Sequence, residues 1–129
     1  GASNHRFGLY DMVMIKDNHI QVSGGIKNAV NSIRSKVPKS IKIEVETTNM
    51  NQVQEALDAD VDIIMLDNMS SKMMTEAVKL INKRTKIEAS GNMTIKRIHK
   101  VASTGVDYIS IGALTHSVKA LDISQRIID

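Results

Sequence analysis

Five short apolar runs, each ending in a polar or small residue, constrain this chain more than any other feature. They are Met12 to Ile15, Lys42 to Glu46, Ile63 to Asp67, Lys86 to Ser90 and Tyr108 to Gly112. Counted from Lys16, at the end of the first run, their last residues lie 30, 21, 23 and 22 positions apart. That spacing is what a strand, a helix and two turns consume, because a parallel crossover needs at least about a dozen residues. Helical periodicity fills the intervals. Ile26, Ala29, Val30, Ile33 and Val37 form one apolar face, Met73, Met74, Ala77, Val78 and Ile81 a second, and Ile95, Ile98 and Ala102 a shorter third. Asn49 with Gln52 reads as a capping box ahead of Met50, Val53, Ala56 and Leu57, and Ser70 and Thr94 stand where N-caps belong. The pattern predicts an α/β fold, a parallel β/α repeat of five strands whose sheet is buried on both faces or belongs to a barrel.

Length sharpens this. The 129 residues make one domain, short of the ~200 or more that a closed eight-stranded barrel needs, so the sheet is open or part of a barrel is missing. The chain starts at Gly1 without a methionine, directly before the charged pair His5 and Arg6, and reads as cut rather than naturally begun. With no Cys, thiol catalysis and disulfides are excluded and the cytoplasm is the expected compartment. No apolar run approaches ~18 residues and no signal-peptide pattern opens the chain, so no membrane role is expected. A net charge of +3, one Phe, two Tyr and no Trp give little support to nucleic-acid binding, while leaving room for anionic small molecules. The eight Met residues fall mostly on apolar positions and read as core filling.

Strands of such a fold deliver their carboxyl ends to one site. His5 and Arg6 precede the first strand, and Arg suits a bidentate grip on carboxylate or phosphate, although an Arg near a terminus is commonly only a surface charge. Lys16, at the first strand end beside Asp17, Asn18 and His19, is a point charge for an anion or the partner of Asp17. Ser23, Gly24 and Gly25 form either a turn or a weak phosphate cradle before a helix. In the second strand Glu44 and Glu46 share one side, opposite Ile43 and Val45, and two inward carboxylates are costly unless they meet cations. Asp60 occupies a turn position that favours left-handed backbone. Asp67 ends the third strand, placed for ribose hydroxyls or a divalent cation, or as a helix cap that Ser70 already supplies. Ser90, Gly91 and Asn92, with Ile111, Gly112 and Ala113, bring glycine to the ends of the last two strands, a recurrent way for backbone N–H groups to receive phosphate. His116 follows, either a hydrogen-bonding partner of that phosphate or a helix-start residue.

The motifs HRFGLYD, IKDNH, IEVE, IIMLDN, EASGN and GVDYISIGALTHSVKALDIS, in this order, resemble the C-terminal part of the quinolinate phosphoribosyltransferases, also called carboxylating nicotinate-nucleotide pyrophosphorylases. The resemblance covers essentially the whole chain. It implies part of an open, incomplete α/β barrel whose N-terminal domain and first barrel strands are absent here. The implied reaction belongs to NAD biosynthesis: quinolinate and phosphoribosyl pyrophosphate give nicotinate mononucleotide, carbon dioxide and pyrophosphate, with Mg2+. It further implies a homodimer or larger homo-oligomer. By motif, His5, Arg6 and Lys16 would bind the quinolinate and pyrophosphate anions. Glu46 and Asp67 would hold the ribose hydroxyls and associated Mg2+, and Ser90, Gly91, Asn92, Ile111, Gly112 and Ala113 would take the 5-phosphate, with His116 nearby. Two other readings stay open: a related type II pyrophosphorylase with another acceptor, and a non-catalytic piece that needs its missing half.

Overall fold

The computed structural model describes residues 2–8 and 10–128. Its strands are β1 (Met12–Ile15), β2 (Lys42–Thr47), β3 (Ile63–Asp67), β4 (Lys86–Ser90) and β5 (Tyr108–Ile109). Its helices are α1 (Asp17–Ser23), α2 (Ile26–Arg34), α3 (Met50–Asp58), α4 (Ser71–Ile81), α5 (Ile95–Ala102) and α6 (Ala113–His116). The strands form one parallel sheet in the order β1-β2-β3-β4-β5. Sequential order joined by right-handed crossovers sends every connecting helix to the same face, as in a barrel wall. Accordingly α2 packs on α3, α3 on α4 and α4 on α5.

Period-two alternation assigns the two faces. Ile15, Ile43, Val45, Ile64, Leu66, Ile87 and Ala89 meet the helices and form the core with Ile26, Val30, Val53, Met74, Ile81 and Val101. Each fully buried Ile or Leu there contributes about 1.5–3 kcal/mol of transfer free energy. The opposite face carries Met12, Met14 and Lys16, then Glu44 and Glu46, Met65 and Asp67, and Glu88 and Ser90, as the strand register requires. Part of this face lies beneath the N-terminal segment, where His5 reaches Glu44 and Glu88 and Arg6 reaches the Met12 carbonyl.

The caps show how the sequence ends its elements. Asn49 accepts the Gln52 N–H at 3.0 Å, and Ser70 accepts the Met73 N–H at 3.2 Å, as expected. Gln52 completes its box one residue early, accepting the Thr48 N–H at 2.8 Å. Thr94 occupies the N-cap of α5 without a side-chain hydrogen bond. Asp60 has the expected left-handed backbone, with φ 54°.

One element is new and three expectations are corrected. The polar stretch after Lys16 is a helix, α1, which the sequence pattern does not place. It has no apolar stripe to announce it; instead the Lys16 N–H donates to His19 Nδ1 at 3.0 Å, and Asp17 sits favourably in the first turn. Gly24 and Gly25, with φ of 73° and 130°, then stop α1, their N–H groups donating to Gln21 O and Ile20 O. Those donors are therefore engaged within the chain, and the phosphate-cradle reading of this pair falls. The last strand ladders only through Tyr108 and Ile109, because residues 111–113 turn into the short α6. Finally, α5 buries Val101 and half-buries Ile98, whereas Ile95 is 84% exposed and Ala102 is exposed.

Candidate active site

Lys16 directly follows β1, Glu46 is the penultimate residue of β2, and Asp67 and Ser90 end β3 and β4. Asp67 and Ser90 are register partners, and Glu46 pairs with Met65, two residues before Asp67 on the same face. Four adjacent strands thus hand a cation, two acids and a hydroxyl to one rim. Their electrostatics agree with that proximity. Burial pushes the Glu46 carboxyl above its ordinary range, the Asp67 charge raises it further, and the Lys16 ammonium opposes both.

Beyond Asp67 and Ser90 the two loops are tied together. The Asn68 N–H donates to Ser90 O at 3.1 Å, Asn92 Nδ2 donates to Asn68 Oδ1 at 2.9 Å, and Asn68 Nδ2 donates to Asp67 Oδ2 at 2.7 Å. Gly91, at φ 91°, lies so close to this knot that a Cβ there would stand 2.2 Å from Asn68 Oδ1 and 2.8 Å from the Asn68 nitrogen. Arg97, from the first turn of α5, clasps both loops from behind. Its Nη1 donates to Gly91 O at 2.6 Å and its Nη2 to Met69 O at 2.7 Å. With the Gly91 carbonyl drawn backward, the turn Ser90-Gly91-Asn92 is held in one conformation.

The other glycine tip differs. Gly112 has ordinary right-handed backbone at φ −59°, and its lack of a Cβ matters because one would lie 3.0 Å from His116 Nε2. Ile111, Gly112 and Ala113 lead into α6, whose four residues offer too little helix dipole for an anion site by themselves. His116 ends that helix, exposed, with Nδ1 2.7 Å from Ser117 Oγ.

His5 and Arg6 approach the same face from the N-terminal segment. His5 Nε2 is 2.9 Å from Glu44 Oε2 and 3.5 Å from Glu88 Oε2, and Arg6 Nη1 donates to Met12 O at 3.1 Å. Glu44 is fully buried, and among the described residues neither of its oxygens has a partner with hydrogen-bond geometry, His5 standing at ion-pair distance only. Its pKa is pushed up to about 8, by burial first and then by the nearby Glu88 carboxyl, while Arg6 opposes both. Sequence reasoning singled out neither Glu88, Asn68 nor Arg97. Glu88 was legible as the register counterpart of Glu46, since both stand inward in strands of matching alternation.

A cleft of about 880 Å³ opens at the opposite rim, with Arg34, Asp62, Lys86 and Asp107 in its lining. Two of its acids are paired: Asp62 accepts from Arg34 at 2.7 Å and Asp107 from Lys86 at 2.6 Å. Each acid also takes the N–H that opens a neighbouring strand, Ile43 for Asp62 and Ile87 for Asp107. That end serves stability, as the amino-terminal face of a barrel does. No helix of the described residues is long and apolar enough to cross a membrane.

Comparison with known proteins identifies the family. The chain is 51% identical over 131 residues to a probable carboxylating nicotinate-nucleotide pyrophosphorylase of Synechocystis sp., covering 99% of this chain and 44% of that protein. It is 49% identical to quinolinate phosphoribosyltransferase [decarboxylating] 1 of Nicotiana glauca, covering 98% of this chain and 41% of the relative. Among solved structures, NadC from Streptococcus pyogenes superposes with a TM-score of 0.88 at 44% identity, over 95% of this chain and 43% of that one. The nicotinate-nucleotide pyrophosphorylase from Francisella tularensis gives 0.87 at 43% identity, over 94% and 43%. The chain therefore spans less than half the length of these relatives. The family model described as quinolinate phosphoribosyl transferase, C-terminal domain, matches residues 1–126, and the chain belongs to that family.

Proposed function

We propose that this chain is the C-terminal part of a barrel catalytic domain that transfers phosphoribosyl from phosphoribosyl pyrophosphate to quinolinate, with decarboxylation to nicotinate mononucleotide. One observation carries the reading: Lys16, Glu46, Asp67 and Ser90 share one face at the carboxyl ends of four neighbouring parallel strands. As pyrophosphate leaves, positive charge grows at the ribose C1 and ring oxygen. Glu46 and Asp67 stabilise that charge while binding the ribose hydroxyls, and Lys16 neutralises the anions beside them. The Ser90-Gly91-Asn92 turn receives the 5-phosphate, and Ile111, Gly112 and Ala113, with His116, complete its surroundings from the next strand. Arg6 and His5 belong to the quinolinate side, where orientation of the ring nitrogen supplies much of the rate. The decarboxylation needs no protein nucleophile, because the pyridinium ring itself accepts the electron pair.

Mg2+ belongs to this proposal. Glu46 and Asp67 are hard oxygen donors close enough to raise each other's affinity for a cation, which fits an ion held by one or two carboxylates and substrate phosphates. When bound, it neutralises pyrophosphate as a leaving group. The missing N-terminal portion, a homo-oligomeric assembly and a cytoplasmic location complete the reading; relatives from plants carry chloroplastic or mitochondrial names. The test uses the complete enzyme. Lys16→Ala and Glu46→Ala should each abolish turnover, and near-normal activity in both would remove these assignments. The isolated 129-residue chain should turn over little or no substrate.

A further inference from the structure

We propose that His5, Glu44 and Glu88 form a binding site for a first-row divalent transition-metal cation, separate from the Glu46 and Asp67 carboxylates at the rim. Three potential ligand atoms, one from each residue, lie within 4.8 Å of one another. His5 Nε2 stands 2.9 Å and 3.5 Å from Glu44 Oε2 and Glu88 Oε2. Ligand atoms bound about 2.0–2.2 Å from one metal ion lie roughly 2.8–3.6 Å apart in octahedral or tetrahedral geometry, so the cluster needs only small adjustment to close on an ion.

A second observation points the same way. Glu44 is fully buried, and among the described residues both its oxygens lack a partner with hydrogen-bond geometry. A buried carboxylate in that condition is costly, and its usual remedies are a donor, a proton or a metal ion. Among the described residues of the N-terminal segment, His5 alone stands within ion-pair distance of Glu44, while Arg6 places its Nη1 on the Met12 carbonyl. Glu88 carries the supporting contact expected around a metal ligand: Ser110 Oγ donates to its Oε1 at 2.5 Å, leaving Oε2 turned toward His5. His5 retains 30% of its side-chain exposure, which gives an ion a path in and open positions for water.

The donor set decides the metal. One imidazole and two carboxylates favour Zn2+, Co2+, Mn2+ or Fe2+ over Mg2+, which prefers an all-oxygen shell. Glu44 and Glu46 are two residues apart on one strand, about 7 Å along it, so the buried ion and the rim ion are separable sites on one face.

Cobalt(II) titration of the complete protein, followed by visible d–d absorption, tests this directly. The expected result is a saturable spectrum at one equivalent, displaced by Zn2+ and unmoved by excess Mg2+. Glu88→Gln and His5→Gln should abolish it, Ser110→Ala should weaken it by about 10–100-fold, and Asp67→Asn should leave it intact. His5→Gln is the control for folding, because it alters a partly exposed side chain, and circular dichroism should show it native. No saturable spectrum, a spectrum that survives Glu88→Gln and His5→Gln, or one lost with Asp67→Asn would each overturn the site. None of these readouts depends on turnover, so failure here leaves the proposed transferase reading standing.

Discussion

Replacing Gly91 by alanine tests the knot between the loops after β3 and β4. Two costs add. An L-residue at φ 91° is held in a region that costs about 1–3 kcal/mol. The new Cβ would also lie 2.2 Å from Asn68 Oδ1, 2.5 Å from its Cγ and 2.8 Å from its backbone nitrogen. Relieving such overpacking costs a further ~1–3 kcal/mol. The side chain can swing away only by giving up its bonds to Asn92 and Asp67. We therefore expect Gly91→Ala to destabilise by about 2–6 kcal/mol, lowering the thermal midpoint by roughly 7–22 °C for a two-state chain of this size. Urea denaturation of wild type, Gly91→Ala, Asn68→Gly and the double variant separates the parts. In the Asn68→Gly background the alanine should cost clearly less, because the clash with the Asn68 side chain is gone while the left-handed backbone and the close backbone nitrogen remain. A single-variant cost below about 0.5 kcal/mol, or the same cost in both backgrounds, would refute the steric account.

Other outcomes follow from the same geometry. Arg97→Ala in the complete enzyme frees the Gly91 and Met69 carbonyls; KM for phosphoribosyl pyrophosphate should rise about tenfold with KM for quinolinate little changed, and Arg97→Lys should rescue poorly because one ammonium cannot span both acceptors. Ile81→Ala should cost about 2–5 kcal/mol in a denaturant melt, whereas Ile95→Lys should stay within about 0.5 kcal/mol, as their burial requires. Burial pushes Asp107 up, but the Lys86 ammonium and Ile87 N–H outweigh it and hold the carboxyl below its usual range. Its stabilising contribution is therefore present above the unfolded pKa and lost as pH falls through the folded one. Stability measured from pH 6 down to about pH 2 should fall less steeply for Asp107→Asn than for wild type.

Much of the fold was legible because burial enforces period. The runs ending at Glu46 and Ser90 alternate, the run ending at Asp67 is apolar throughout before its acid, and α2 and α4 show their apolar stripes. Where no stripe is needed, the sequence is silent: α1 is held by local polar contacts and its glycine stop, so its letters look like a loop. In α5, Ile95 belongs to the pattern but stands at the first helical position, outside the packed face. The rim acids and Lys16 were readable from strand ends alone. Arg97 was not, because its role depends on a distant neighbour, Met69, and Glu88, though its strand alternation marks it as inward, meets its partner His5 only in the fold.

The division of the sheet into a hydrocarbon side and an acidic side has an evolutionary corollary. A single inserted or deleted residue within β2 would exchange the two, driving Glu44 and Glu46 into the helices while turning Ile43 and Val45 outward. Loops at either end tolerate changes in length, but the strands do not. Drift in this protein is thereby confined to whole-residue substitutions that respect parity, so the reactive rim and the packing beneath it must be inherited as one unit.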